Sequence, residues 1–158
     1  MLVQVTSHDG HYHLHFEVVV AAPPARVIAL ITNYNHLRRL SPDIVSSAII
    51  PGPGNLKVRM VMRTCVAWFC KTVHKTEYVF MGAHGQITTQ AIPAESDFRY
   101  QWERWHIRAS KHGGTRISYH SGLAPGFFVP PLIGPWLIRR TIRHDLAVSV
   151  RRLSRLAR

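Results

Sequence analysis

Acidic residues are scarce in this chain. Against 20 Lys and Arg stand 8 Asp and Glu among 158 residues, a formal charge of +12 with histidine neutral. The imbalance favours anionic partners, whether nucleic acid, ribosome or the anionic leaflet of a membrane, without choosing among them. Cysteine is scarcer still, at 2 residues. That excludes a multi-disulfide framework, and a chain this long buries a substantial core without one. No apolar run reaches the roughly 18 residues that cross a bilayer. The opening MLVQVTSHDGHYHLHF lacks the basic-then-apolar order of a secretory signal, and no repeat, low-complexity tract or linker interrupts the chain. With 46% hydrophobic and 18% charged residues, the expectation is one globular domain over residues 1–158, in the cytoplasm.

The stretch from Pro130 to Arg158 carries the strongest pattern. A Pro/Gly-rich approach, PPLIGPW, runs into a segment in which Ile138, Ile142, Leu146, Val150, Leu153 and Ala157 recur near the helical period. Arg139, Arg143, Arg151, Arg155 and Arg158 hold another face, read as solvated or as a polyanion contact. Pro135 suits a first turn, where its missing N–H has no intrahelical partner. One long helix is predicted, and it must lie across most of the domain.

Upstream, Leu14, Phe16, Val18 and Val20 alternate with His13, His15 and Glu17, a strand over 13–20 with one buried side. Pro23-Pro24 ends it and opens a helix over 25–34, followed by a helical turn over 36–40 that stops before Pro42. Pro51-Gly52-Pro53-Gly54-Asn55 is a turn between strands over 45–50 and 56–64. Further strands are predicted over 71–81, 86–92, 98–109 and 115–122, an antiparallel meander whose apolar side the long helix covers.

The order of strand, two short helices, about six strands and a closing helix resembles the helix-grip fold of the START-like superfamily, also called SRPBCC. That superfamily includes polyketide cyclases, coenzyme Q-binding proteins and lipid-transfer domains. The carriers are FEVVVAAPPARVIALITNYNHLRRLSPDI, the strand pair GQITTQAIPAESDFRYQWERWHI and GGTRISYHSGL, and the helix after PPLIGPWLIRR. The resemblance implies an α+β fold, a curved antiparallel sheet gripping the C-terminal helix, with an apolar cavity between them for a hydrophobic ligand. The expected cavity lining is Phe16, Val18, Val27, Ile31, Met60, Met62, Trp105, Ile107, Tyr119, Ile138, Ile142 and Leu146, residues that would serve equally as plain core.

Gln101 and Glu103 share a strand face with Trp105 and Ile107. Glu103 is thus the one candidate acid, a carboxylate in an apolar cavity whose alternative is pairing with an arginine at the cavity mouth. His11, His13 and His15 fall on one strand face, but it is the outward one, so no metal site is assigned, and no cofactor is expected. Cys65 and Cys70 flank Val66-Ala67-Trp68-Phe69. If these four form a hairpin tip the cysteines face each other and could bridge, whereas a reducing cytoplasm would keep them as thiols. Trp68 and Phe69, with Phe127, Phe128 and Trp136, read as a cavity gate or a peripheral contact with an anionic membrane, or else as loops packed on each other.

Three functions follow. The first is binding or transport of a lipid, isoprenoid quinone or polyketide-like molecule without catalysis. The second is a polyketide cyclase or aromatase, and the third, favoured by the basic charge, is a ribosome-associated protein resembling the toxins of the same superfamily.

Overall fold

Period-two alternation dominates the computed structural model, which describes residues 1–158. Eight strands form one antiparallel sheet: β1 (Leu2–His8), β2 (His11–Val20), β3 (Ile44–Ile50), β4 (Leu56–Val66), β5 (Phe69–Met81), β6 (Gln86–Ala91), β7 (Phe98–Ala109) and β8 (Thr115–Pro125). Helix α1 (Pro24–Ile31) and a 3-10 turn (Tyr34–Arg39) follow β2, and α2 (Pro135–Leu156) closes the chain. The strand order is β1-β2-β8-β7-β6-β5-β4-β3, so the chain crosses from β2 to the far edge and meanders back. This is the helix-grip arrangement.

One strand escaped the sequence reading. β1 pairs with β2 from Leu2↔Glu17 to His8↔His11. Its turn is Asp9-Gly10, both at positive φ (49° and 75°), the Asp-Gly signal of a two-residue hairpin. Other elements shift by a few residues. α1 ends at Ile31, and β4 and β5 run on into the Val66–Phe69 pair. β8 continues to Pro125, taking Leu123 and Ala124 out of the predicted loop and into pairing with β2 and β7.

The inward face holds the core: Phe16, Val18, Val20, Val58, Met60, Val79, Ile87, Ile107, Ile117 and Tyr119 are buried together with Val27 of α1. The 3-10 turn is tied to the edge strand β3, since Ser47 Oγ accepts from Leu37 N–H at 3.2 Å and Asn35 Oδ1 from Ile49 N–H at 2.8 Å. α2 is anchored at its C-terminal end. Leu153 and Ala157 are buried in the core, while Ile142, Leu146 and Val150 only pack against it. No helix is long and apolar enough to cross a membrane.

The β7–β8 turn tests how tightly the first helical crossover is docked. Gly113 and Gly114 both have positive φ, yet a Cβ on Gly113 meets nothing, whereas one on Gly114 would lie 2.3 Å from the Val20 carbonyl oxygen. Gly113→Ala should therefore lose about 1 kcal/mol from backbone strain alone, and Gly114→Ala more than about 2 kcal/mol because the backbone must also move apart. Urea denaturation of the two variants measures the difference.

Candidate functional site

A cavity of about 530 Å³ remains between α2 and the sheet and opens to solvent. Its walls are overwhelmingly apolar. Of the expected lining, Phe16, Val18, Ile31, Met60, Met62, Glu103, Trp105, Ile138, Ile142 and Leu146 lie on the wall. Four do not. Val27 and Ile107 are closed into the core. Tyr119 is screened by the rings of Phe16 and Trp105, whose centroids lie 4.7 and 4.6 Å from its own. Gln101 sits behind Glu103 and donates to its Oε1 at 3.0 Å.

The five aromatic residues read as a gate divide into two groups. Phe69 and Phe127 are on the wall, with the Lys71 ammonium 5.2 Å from the Phe127 ring centre and Phe98 6.3 Å from it. Trp68, Phe128 and Trp136 point to solvent at 67%, 75% and 61% exposure. Each exposed ring is nevertheless close in sequence to wall residues: Trp68 follows Val66 by two, Phe128 lies between Phe127 and Val129, and Trp136 precedes Ile138. Together they mark a rim. Cys65 and Cys70, directly opposite in register with Cα atoms 4.0 Å apart, are joined in a disulfide that closes the Val66–Phe69 tip.

The cavity also has a polar floor, of which sequence reasoning found only Glu103. Its partner is a lysine of β5, not an arginine at the mouth. Lys75 Nζ lies 2.8 Å from Glu103 Oε1 and 2.9 Å from Glu77 Oε2, with Lys75 and Glu77 each only 2% exposed. Trp105 Nε1 donates to Glu103 Oε2 at 3.3 Å. Burial works to depress Lys75, but the charges of Glu103 and Glu77 outweigh it and hold the ammonium above the ordinary lysine range. That rules it out as a nucleophilic amine. Burial also works to raise Glu103, yet Lys75 beside it keeps the carboxyl below its usual value. Glu77 is pushed up, by burial first and by Glu103 after the opposing pull of Lys75. Tyr34, on the cavity wall, rises to about 12 through burial and the two nearby glutamates. Signs of this network stood in the sequence as Lys75 and Glu77 at alternate positions of a strand whose apolar face is Val73 and Val79.

A second polar spot lies between α2 and the start of β3. Asp43 and Asp145 both line the cavity, and burial followed by repulsion from Asp145 raises Asp43 to about 6. On the outer sheet face His15 stacks on His120 at 4.1 Å, and Tyr100 Oη lies 2.7 Å from His11 Nδ1. The arginines Arg139, Arg140, Arg143, Arg151 and Arg155 of α2 are exposed and have no carboxylate partner.

An antiparallel sheet gripping one helix over an apolar cavity defines the START-like class of small-molecule-binding folds. A family profile described as polyketide cyclase / dehydrase and lipid transport matches residues 11–158, and the chain belongs to that family. Solved structures agree on the fold. A START superfamily protein from Mycobacterium smegmatis superposes with a TM-score of 0.73 at 18% identity, covering 93% of this chain and 99% of its own. The ZhuI aromatase/cyclase from Streptomyces sp. R1128 gives 0.67 at 14% identity, covering 93% of each. A STAR-related lipid transfer protein from Xanthomonas axonopodis gives 0.67 at 14%, covering 96% and 98%. No curated protein matches the chain by sequence. Family and fold indicate hydrophobic ligand binding or polyketide cyclase-type function.

Two measurements probe the electrostatics. Lys75→Met leaves two buried carboxylates uncompensated and should cost about 3–5 kcal/mol at neutral pH, less at pH 5 as the carboxyls take up protons; urea denaturation at both values checks this. For Asp43, the folded chain holds the proton more tightly than the unfolded one, whose value is near the ordinary 3.8. Ionisation therefore removes stability as pH rises from about 4 through about 6. Relative to wild type, Asp43→Asn should gain stability across that window and stay level above it, as read from thermal melts.

Proposed function

We propose that this protein is a non-catalytic carrier that binds a hydrophobic small molecule in the cavity between α2 and the sheet. The carrying observation is the cavity itself: about 530 Å³, within the size range of small-ligand sites, open on one side and walled by apolar side chains with few polar groups. Family membership supports the reading, and so does the likeness to a protein described as a lipid transfer protein. Met60 and Met62 give the wall adaptable side chains. In this reading the rim residues Trp68, Phe128 and Trp136 face the source of the ligand, and an anionic membrane suits them because Trp136, Arg139, Arg140 and Arg143 share one helix face at spacings of three, four and seven.

A second reading, catalysis of the cyclase type, draws on Asp43, Asp145, Tyr34 and Glu77, four titratable groups that line the cavity. The likeness to an aromatase/cyclase favours it. Binding without chemistry is the better-supported reading, since the wall is overwhelmingly apolar and its best-placed carboxyl, Glu103, is tied to Lys75, Gln101 and Trp105.

Titration with the neutral fluorophore N-phenyl-1-naphthylamine tests the carrier. Wild type should bind it with micromolar affinity, and Ile142→Trp, which fills the space beneath α2, should weaken binding at least about tenfold while the thermal melt stays cooperative. Equal binding by both proteins would remove the cavity from the account.

A further inference from the structure

We propose that the Cys65–Cys70 disulfide is a redox-operated latch on the rim of the cavity, opened by a dithiol reductant to let ligand enter and leave. This rests on the carrier reading and adds its regulation.

The hairpin tip that the disulfide closes has little else to hold it. Pairing of β3 with β4 stops at Met62, and pairing of β6 with β5 begins only at Glu77. The last hydrogen bonds tying this stretch to the rest of the protein run from Arg63 N–H to the Asp43 carbonyl at 2.8 Å and from His74 N–H to Asp97 Oδ2 at 2.7 Å. Beyond them the two strands pair only with each other, from Thr64↔Lys71 to Val66↔Phe69, and a two-stranded ribbon is marginal in water. Its turn is poor as well. Ala67 and Trp68 make the two-residue connection, with Ala67 at φ 53°, in the left-handed region that glycine, asparagine or aspartate fills in such turns. The β1–β2 hairpin meets the same demand with Asp9-Gly10. In the β4–β5 tip a covalent bridge between directly opposed cysteines offsets both deficits.

The ribbon presents its sulfurs and its wall residues to different surroundings. Cys65 and Cys70 are exposed, whereas Val66 and Phe69, the next pair in register, line the cavity. Lys71 lines it too, its ammonium 5.2 Å from the ring centre of Phe127 on the segment leading to α2. A reductant thus reaches the sulfurs without entering the cavity, while what the bridge holds in place is cavity wall. Arg63, exposed two residues before Cys65 on the same strand face, favours the thiolate that leaves. One thiolate of the dithiol attacks a cysteine sulfur and forms a mixed disulfide, which the second thiol of the reductant then resolves. Cys65 and Cys70 together gain two electrons and two protons, and the reductant departs as its own disulfide. Val66 and Phe69 are the first to lose their places, because they adjoin the unfavourable turn.

The test is stopped-flow binding of N-phenyl-1-naphthylamine over a range of protein concentrations, with and without dithiothreitol, where slope and intercept give the entry and exit rates. Titration of free thiols follows the reduction. Reduction should raise both rates at least about fivefold while the thermal melt stays cooperative, since a latch acts on passage in both directions. The double variant Cys65→Ser, Cys70→Ser should exchange at the reduced rate and ignore dithiothreitol. Ala67→Gly, which meets the demand of the turn, should keep the reduced protein within about twofold of the oxidised rates. Four results would each overturn the latch and leave the carrier standing: equal rates for oxidised and reduced wild type, thiols that dithiothreitol fails to release, a double variant that still responds to it, or acceleration of Ala67→Gly as large as that of wild type. Failure of wild type to bind the probe would overturn both.

Discussion

An antiparallel sheet with one apolar face must be covered, and here a single helix has to do it. Eight strands present far more inward surface than one helix of 22 residues can touch. The sheet therefore curves round the helix, and the helix is seated where contact is best, at Leu153 and Ala157, with the crossover helix α1 packed nearby through Val27. The cavity is what this mismatch leaves, with Ile138, Ile142 and Leu146 of α2 lining one side of it.

The cavity has consequences for charge. Once the cavity excludes most water, any ionic group on its wall must find its partner within the protein. Lys75, Glu77 and Glu103 do so among themselves, and the sharing is unequal: Glu103 draws donors from Lys75, Gln101 and Trp105, whereas Glu77 has Lys75 at 2.9 Å and Thr89. The resulting asymmetry separates two chemically identical side chains, one held ionised below its usual range and one pushed above it. At the other polar spot Asp43 faces Asp145, and burial followed by repulsion between the two carboxyls takes Asp43 to about 6.

Much of the fold was legible because it rests on period and punctuation. The alternation of Leu14, Phe16, Val18 and Val20, the Pro23-Pro24 break and the arginine and apolar faces of the last helix each state a local structure that the tertiary contacts do not override. β1 was equally legible in Asp9-Gly10, but its seven residues carry only three apolar side chains, Leu2, Val3 and Val5, and read weakly without the partner strand that makes them a hairpin. The wall was read where a residue's face decides the matter, as for Phe16, Met60 and Trp105. It failed where lateral neighbours close over a residue, as for Tyr119, flanked on the same sheet face by Phe16 and Trp105. The salt-bridge partner of Glu103 lay beyond sequence reasoning for a related cause. Strand alternation places Lys75 and Glu103 on one face, but β6 lies between their strands, and only the three-dimensional sheet shows the long Lys75 side chain reaching across to within 2.8 Å.

The buried triad is hard to justify as a stabilising device. Desolvating three ionic side chains costs several kcal/mol each, and mutual attraction seldom returns more than hydrophobic residues of the same size would contribute. Leu, Val or Met at 75, 77 and 103 would continue the pattern of Val73, Val79 and Trp105 and give a drier floor. The triad therefore keeps charge on the wall of an otherwise apolar cavity at a cost in stability, which is the opposite of what a purely structural floor would select.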